Sequence, residues 1–441
     1  MLQNHTLIKG TAILTIAGML SRVIGFFYRI FLSQTIGAEG VGIYQLIFPV
    51  YTLMHSLTAS GIQTAISRFV SSKTALKDYR GARDMLFAGL VLSILFALIC
   101  SLILWPNAEL VAASLLFEPR CAPLLQILCL AVPFSCIHSC IIGYYMGLKR
   151  TDIPAVSQLF EQLIRVASSF LIYRIFLERN LAPTPILAVL GMLCSETAAV
   201  LYTVTAFLLH HPKQRSIFSV SFPFHCIPQI LSFSLPLTAN RLLLTLLQSV
   251  EAVCIPLRLQ TYGLDNAAAL TTYGTLTGMS LPLVLFPSAI TNSLSAMLLP
   301  AVSEAQAAKN EEAIANLTQK TVKSCLLLGT IATVFFLFTG NLCGTYLFQN
   351  QEAGTYILIL AWLCPFLYLG STLGSILNGL GQTFFVFLVN LLSLLIRIAF
   401  VWFAIPLFGV RGYLWGLLAA QLLQSILLLC RCLFMMPGSK A

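Results

Sequence analysis

Apolar runs of about 20 residues or more, broken by short polar stretches and by a few single charges, recur from one end of the chain to the other. A helix of that length, at ~1.5 Å per residue, crosses a hydrocarbon core of ~30 Å, and it pairs every backbone amide where no water can. The pattern predicts an all-α polytopic membrane protein of about twelve spans. In the first half these cover approximately 8–35, 40–71, 84–105, 121–148, 153–178 and 185–210. In the second half they cover approximately 228–257, 270–303, 319–341, 353–380, 383–405 and 410–435. Two of them, 40–71 and 270–303, are about 33 residues, roughly 50 Å of helix, and must tilt, bend or protrude. Pro49 and Gly61 in one, and Pro282, Pro287 and Pro300 in the other, mark where the backbone ladder is weakest.

The pattern also repeats. At a constant offset of 232, Pro133-Phe134 falls on Pro365-Phe366, Gly147-Leu148 on Gly379-Leu380, Thr151 on Thr383, and Leu163-Ile164-Arg165 on Leu395-Ile396-Arg397. Proline, glycine and an intramembrane arginine each impose a backbone or solvation demand, so their agreement points to two copies of one unit. The expected lobes are 1–212 and 228–441, with residues 213–227 as a cytoplasmic linker. Six spans per lobe make a parallel repeat, of the kind that builds a central cavity in transporters.

Composition agrees: 58% of the 441 residues are hydrophobic and 9% charged, too little polar surface for a water-soluble globule. The net charge of +10 does not form one nucleic-acid-binding patch. With the N-terminus in the cytoplasm, Lys9, Lys73, Lys77, Arg80, Arg83, Lys149, Arg150, Lys213, Arg215, Lys309, Lys320, Lys323, Arg431 and Lys440 all fall on that side, and only Arg120, Arg174, Arg179, Arg258 and Arg411 fall outside. That bias places both termini in the cytoplasm. The opening residues, up to Thr35, lack a short apolar core with a small-residue cleavage site and read as a retained first helix. Cysteines such as Cys100, Cys129 and Cys136 lie in apolar helices without convergent His or acidic partners, so neither a metal nor a cofactor is expected. No Walker-type loop occurs, which leaves a gradient, the membrane potential or a downstream sink to drive transport.

Six arginines fall inside predicted spans: Arg22, Arg29, Arg68, Arg165, Arg241 and Arg397. A charge near a helix centre costs at least ~2.5–3.5 kcal/mol, so each needs a partner, water or a function. Arg22 and Arg29, two turns apart, share one face of the first span as a cationic stripe, and a guanidinium grips phosphate through two parallel hydrogen bonds. Arg165 has Glu161 one turn earlier as an ion-pair partner, whereas Arg397 has Ser393 there and is expected to be unsatisfied or ligand-facing. Arg68 reads as an interfacial side chain. Arg241, Gln248 and Glu251 lie on one broad face of the seventh span, expected to line a cavity. Glu196 has no charged neighbour within a turn; it and Glu251 are the candidate ion-coupling carboxylates, for H+ or Na+. His55 and His138 are each isolated and read as packing residues. No nucleophile and base pair stands out, so no catalytic residue is assigned and the chain is not expected to be an enzyme.

Lys9-Gly10-Thr11, Ser21-Arg22-Val23-Ile24-Gly25-Phe26, the segment from Ile36-Gly37-Ala38-Glu39-Gly40 to Gln45-Leu46, and Leu276-Thr277-Gly278-Met279-Ser280-Leu281-Pro282 resemble the stage V sporulation protein B family of polysaccharide-biosynthesis membrane proteins. The resemblance covers nearly the whole chain. It implies membership of the multidrug, oligosaccharidyl-lipid and polysaccharide exporter superfamily, with two six-helix lobes around a central cavity. The first helix is also similar to that of lipid II flippases, whose Ser-Arg-Val-x-Gly-Phe motif carries a cavity arginine matching Arg22. Their second arginine lies six residues on; here Tyr28 stands there and the charge is at Arg29, about 100° around the helix.

The expected function is a flippase or exporter of a lipid-linked saccharide in peptidoglycan or spore-cortex synthesis, working by alternating access in the bacterial cell membrane. Arg22, Arg29, Arg241 and Arg397 would hold the diphosphate. Two alternatives stand beside it, a multidrug or organic-cation antiporter of the same superfamily and a non-transporting scaffold for cell-wall synthesis. The first span offers arginines and no acid, which favours an anionic substrate.

Overall fold

In the computed structural model, which describes residues 2–210, 224–308 and 310–435, the first helix runs from Leu2 to His55. Its one break is Gly37, at φ 70° and ψ 174°. That conformation is open to glycine at little cost, so a single residue separates the first predicted span from the second. A π-helical turn, Ser56–Ser60, follows, and the chain continues as Gly61–Ala75. The long eighth span divides in the same spirit. Asn266–Gly274 passes through a π turn at Thr275–Ser280 into Leu281–Leu285, and the chain then bends by 60° before Ser288. Pro282 and Pro287 flank the bend and supply no N–H to the ladder across it.

The described residues form helices and connecting turns, without strands. Nine helices among them are long and apolar enough to cross a membrane, and the bent pair Asn266–Leu285 and Ser288–Ser295 makes a tenth. One of the nine, Ala12–Ala75, is 64 residues and holds two spans joined at Gly37. Asp152–Glu178 adds a further helix of 27 residues, rich in charge. These segments together are compatible with the twelve expected, and the chain is a multi-pass helical membrane protein. Residues 213–223 of the expected linker, with Lys213 and Arg215, lie outside the described residues, as do Lys309 and Lys440.

Two compact units partition the chain. Unit 1 comprises Met1–Gly25 and Ile43–Ser249, and unit 2 comprises Phe26–Gly42 and Val250–Ala441. The first helix and the Ile227–Thr261 helix therefore each contribute to both. In unit 1 the helices Gly61–Ala75 and Ala122–Gly147 approach closely through glycine: a Cβ on Gly143 would lie 2.6 Å from the Gln63 carbonyl oxygen, and one on Gly147 2.6 Å from that of Ser67. Glycines four apart let two backbones meet where lipid supplies no hydrophobic drive. Valine at either position is expected to destabilise the protein by at least ~1–3 kcal/mol through overpacking, measured as a lowered unfolding midpoint in detergent.

The turn that enters Tyr79–Leu104 is held by Asp78, whose Oδ1 accepts from the Gly81 N–H at 2.9 Å and whose Oδ2 lies 3.3 Å from Lys73 Nζ. The Gly81 hydrogen bond, then Lys73, hold the Asp78 carboxyl below the usual carboxylate range. Its contribution is therefore complete above a pH of about 4, where an unfolded aspartate is ionised, and is lost as the pH falls through the lower folded value. The acid-side loss of stability should shrink in Asp78→Asn, which the unfolding midpoint between pH 3 and 5 checks.

Candidate functional site

Unit 1 carries an open cavity of about 560 Å³ lined mainly by polar side chains. Five helices supply its chemistry, Asp152–Glu178 through Glu161 and Ile227–Thr261 through Arg241 among them. Tyr51 and His55 stand one turn apart on the first helix, Ser135, His138 and Ser139 share a face of Ala122–Gly147, and Glu196 comes from Ile186–His210. The Tyr51 hydroxyl donates to Glu196 Oε1 at 3.0 Å and lies 3.0 Å from Ser135 Oγ. His55 Nε2 is 3.1 Å from Ser139 Oγ, and His138 Nε2 is 2.8 Å from Ser157 Oγ. Glu196 is 4% exposed, and its Oε2 has no hydrogen-bond partner among the described residues. A buried carboxylate oxygen without a donor is costly, and it is an open position for a proton, a cation or a hydroxyl. No group of three or more His, Cys, Asp or Glu side chains among the described residues could hold a metal ion.

Arg241 lines the same cavity, from the part of Ile227–Thr261 that belongs to unit 1. It donates to Ser60 Oγ, in the π turn, and makes no ion pair with a described carboxylate. Gln248 lines the cavity with it, whereas Glu251, expected on the same cavity-lining face, does not. Arg22 is exposed and meets no described carboxylate either. The expected stripe of Arg22 and Arg29 is divided between the units: Arg29 lies in unit 2, where Nη1 points to the Thr277 carbonyl oxygen at 3.5 Å. Arg68 stacks over the Phe233 ring at 4.2 Å, a cation–π contact that satisfies it without a ligand.

Arg165 pairs with Glu161 across one helical turn, and its Nε donates to Ser195 Oγ at 3.2 Å. Arg397, its repeat mate, corrects an expectation. It is neither unsatisfied nor free: Nε donates to Glu251 Oε1 at 2.8 Å, and Nη2 lies 3.4 Å from the Tyr413 hydroxyl, which itself donates to Glu251 Oε1 at 2.9 Å. The missing intrahelical acid at Ser393 is replaced by a carboxylate 146 residues away, on a different helix of unit 2. Glu251 is thereby taken up by Arg397 and Tyr413 and, unlike Gln248, does not line the unit 1 cavity.

The residue pattern of the family described as polysaccharide biosynthesis protein matches residues 7–306. The chain belongs to that family. The pattern named MatE matches residues 263–403. Over 430 residues this polysaccharide biosynthesis protein is 28% identical to stage V sporulation protein B of Bacillus subtilis (strain 168), covering 96% of this chain and 83% of that protein. Over 185 residues it is 30% identical to the lipid II flippase MurJ of the same organism, covering 39% of this chain and 34% of that one. Among solved structures, an inward-facing multidrug resistance MATE family transporter of the MOP superfamily superposes with a TM-score of 0.70 at 15% identity, over 97% of this chain and 99% of that one. That likeness establishes the fold.

In this family member's sequence, His55 and His138 read as isolated packing residues, and Tyr51 and Ser135 carry no charge to mark them. Both histidines do bond to serines, yet both stand on the cavity wall beside Glu196. The signal was present as spacing. Tyr51 and His55 are four apart, and Ser135, His138 and Ser139 fall at the i, i+3, i+4 positions of one helical face.

Proposed function

We propose that this chain is a flippase or exporter that moves a lipid-linked saccharide, of the peptidoglycan or spore-cortex precursor type, from the inner to the outer leaflet of the bacterial cell membrane by alternating access, with both termini cytoplasmic. The observation that carries the reading is that Arg22 and Arg241, cations on membrane-spanning helices, meet no carboxylate among the described residues. Two such guanidiniums are suited to a diphosphate, which needs concentrated positive charge and bidentate donors. The polysaccharide biosynthesis family pattern over residues 7–306 supports the saccharide, similarity along 96% of the chain to stage V sporulation protein B supports the sporulation context, and the lipid II flippase match supports the lipid carrier. Arg29 is a secondary contributor. Arg397, expected among the substrate residues, and Glu251, expected as an ion carrier, serve instead to fasten unit 2 internally. Glu196 is the coupling carboxylate, its open Oε2 receiving H+ or Na+.

One observation favours a second reading. Glu196 and Glu161 both line the unit 1 cavity, and carboxylates suit an organic cation carried in exchange for an ion. A non-transporting scaffold would need neither the unpaired arginines nor the open carboxylate. Reconstitution with a lipid-linked disaccharide diphosphate against a cationic dye separates the three: headgroup appearing on the far leaflet supports the flippase, dye transport alone the antiporter, and neither the scaffold.

A further inference from the structure

Unit 2 holds its own, larger cavity, of about 860 Å³, at the ends of its helices remote from Gly379 and Arg431. Its walls come from the end of Ile227–Thr261, the start of Gln351–Leu360, and the junction between Thr383–Phe403 and Val410–Phe434. The aromatic side chains Tyr262, Tyr356, Phe408 and Trp415 line it together with Glu352 and Arg411. The wall at Tyr262 is built into the backbone. Gly409 sits at φ 60°, and a Cβ there would lie 2.9 Å from Tyr262 Cε1, so glycine lets the chain turn flat against the ring. Arg258, stacked 3.5 Å over the Trp402 ring, ties two of the contributing helices together.

The two charges carry the argument. Glu352 Oε2 accepts from the Tyr356 hydroxyl at 3.3 Å, leaving Oε1 without a partner among the described residues. Arg411 makes no hydrogen bond or ion pair with any described residue, and the two do not pair with each other. A site for a simple anion would not carry Glu352, and a site for a simple cation would not carry Arg411, yet both line this one. A lipid tail would use neither. A neutral ligand that offers hydroxyl donors, hydroxyl acceptors and a flat C–H face uses all three features at once, and a pyranose is such a ligand. We propose that this cavity is a saccharide-binding site, with the ring faces of Tyr262 and Trp415 as platforms and Glu352 and Arg411 as the hydroxyl readers. The inference rests on the proposed function for its choice of saccharide and for its sidedness: in that orientation the cavity opens toward the outer leaflet and receives the delivered headgroup.

The test is binding at equilibrium, without translocation. The full chain in nanodiscs is titrated with chitobiose, followed by calorimetry and tryptophan fluorescence. Saturable binding is expected, weakened at least tenfold by Trp415→Ala, Glu352→Gln or Arg411→Gln, and kept by Trp415→Phe, which preserves the platform and reports folding. No saturable binding to wild type, or equal binding in all the variants, overturns the proposal. Binding of glycerophosphoethanolamine with none of the sugar also overturns it, because the cavity would then be a lipid-headgroup site. Sugar binding by a chain that moves no lipid-linked saccharide sustains this inference while sinking the proposed function, and translocation without sugar binding does the reverse.

Discussion

Replacing Glu251 with alanine is expected to lower the folding stability by about 2–3 kcal/mol, because it strands a half-buried guanidinium and leaves a buried hydroxyl without its acceptor. The Glu251 side chain is 4% exposed, and its Oε1 receives both Arg397 Nε and the Tyr413 hydroxyl. Three helices of unit 2 converge on that one oxygen. Removing the acid leaves Arg397 charged, since a guanidinium stays protonated, and leaves Tyr413 without its acceptor. Removing both charges is a different matter. The double variant Glu251→Leu with Arg397→Met replaces the pair by apolar groups of similar volume and should recover most of the loss. Unfolding of the purified protein, compared among wild type, single and double variants, reads the coupling directly. A single variant as stable as wild type would show that the pair does not hold unit 2 together, and would return Arg397 to the set of available cations.

The second large effect is on transport. Arg241→Ala is expected to slow translocation of a lipid-linked saccharide diphosphate by roughly 10- to 150-fold, the equivalent of one charge-assisted hydrogen bond of ~1.5–3 kcal/mol. Its stability should change little, because the only side-chain partner of Arg241 among the described residues is the Ser60 hydroxyl. This is the opposite signature to that of Glu251→Ala. Arg241→Lys should restore part of the rate, since an ammonium keeps the charge but loses the planar fork. The initial rate of headgroup exposure and the unfolding midpoint, measured on the same preparations, separate a ligand contact from a packing contact. Unimpaired transport in Arg241→Ala would remove this residue from the mechanism.

Much of the fold was legible because the bilayer leaves few options. Long apolar runs select helices, and the break between the first two spans falls at Gly37, inside the four-residue gap 36–39 that the pattern leaves between them. The bend at Pro282 and Pro287 was likewise visible as missing N–H groups. The pairing of Arg165 with Glu161 was legible for the same reason, being one helical turn long. The site was less so. The partner of Arg397 is remote in sequence, and the position one turn before it holds Ser393 rather than an acid. Glu196 looked solitary along its helix, yet Tyr51 reaches it from another, and the hydroxyls and histidines that surround it carry no charge to draw attention in a sequence. Local periodicity reports neighbours on one helix, whereas a polar cavity is assembled from several.

The most direct test is a reconstituted translocation assay in sealed vesicles. Fluorescently labelled lipid-linked disaccharide diphosphate starts in the inner leaflet, and its arrival at the outer leaflet is followed with and without an imposed proton or sodium gradient. Wild-type chain should expose the headgroup, faster with the coupling gradient than without it, and the Arg22→Ala, Arg241→Ala double variant should be near the protein-free background while remaining folded. Equal transport by wild type and the double variant, or transport of a cationic dye with no movement of the saccharide, would contradict the account.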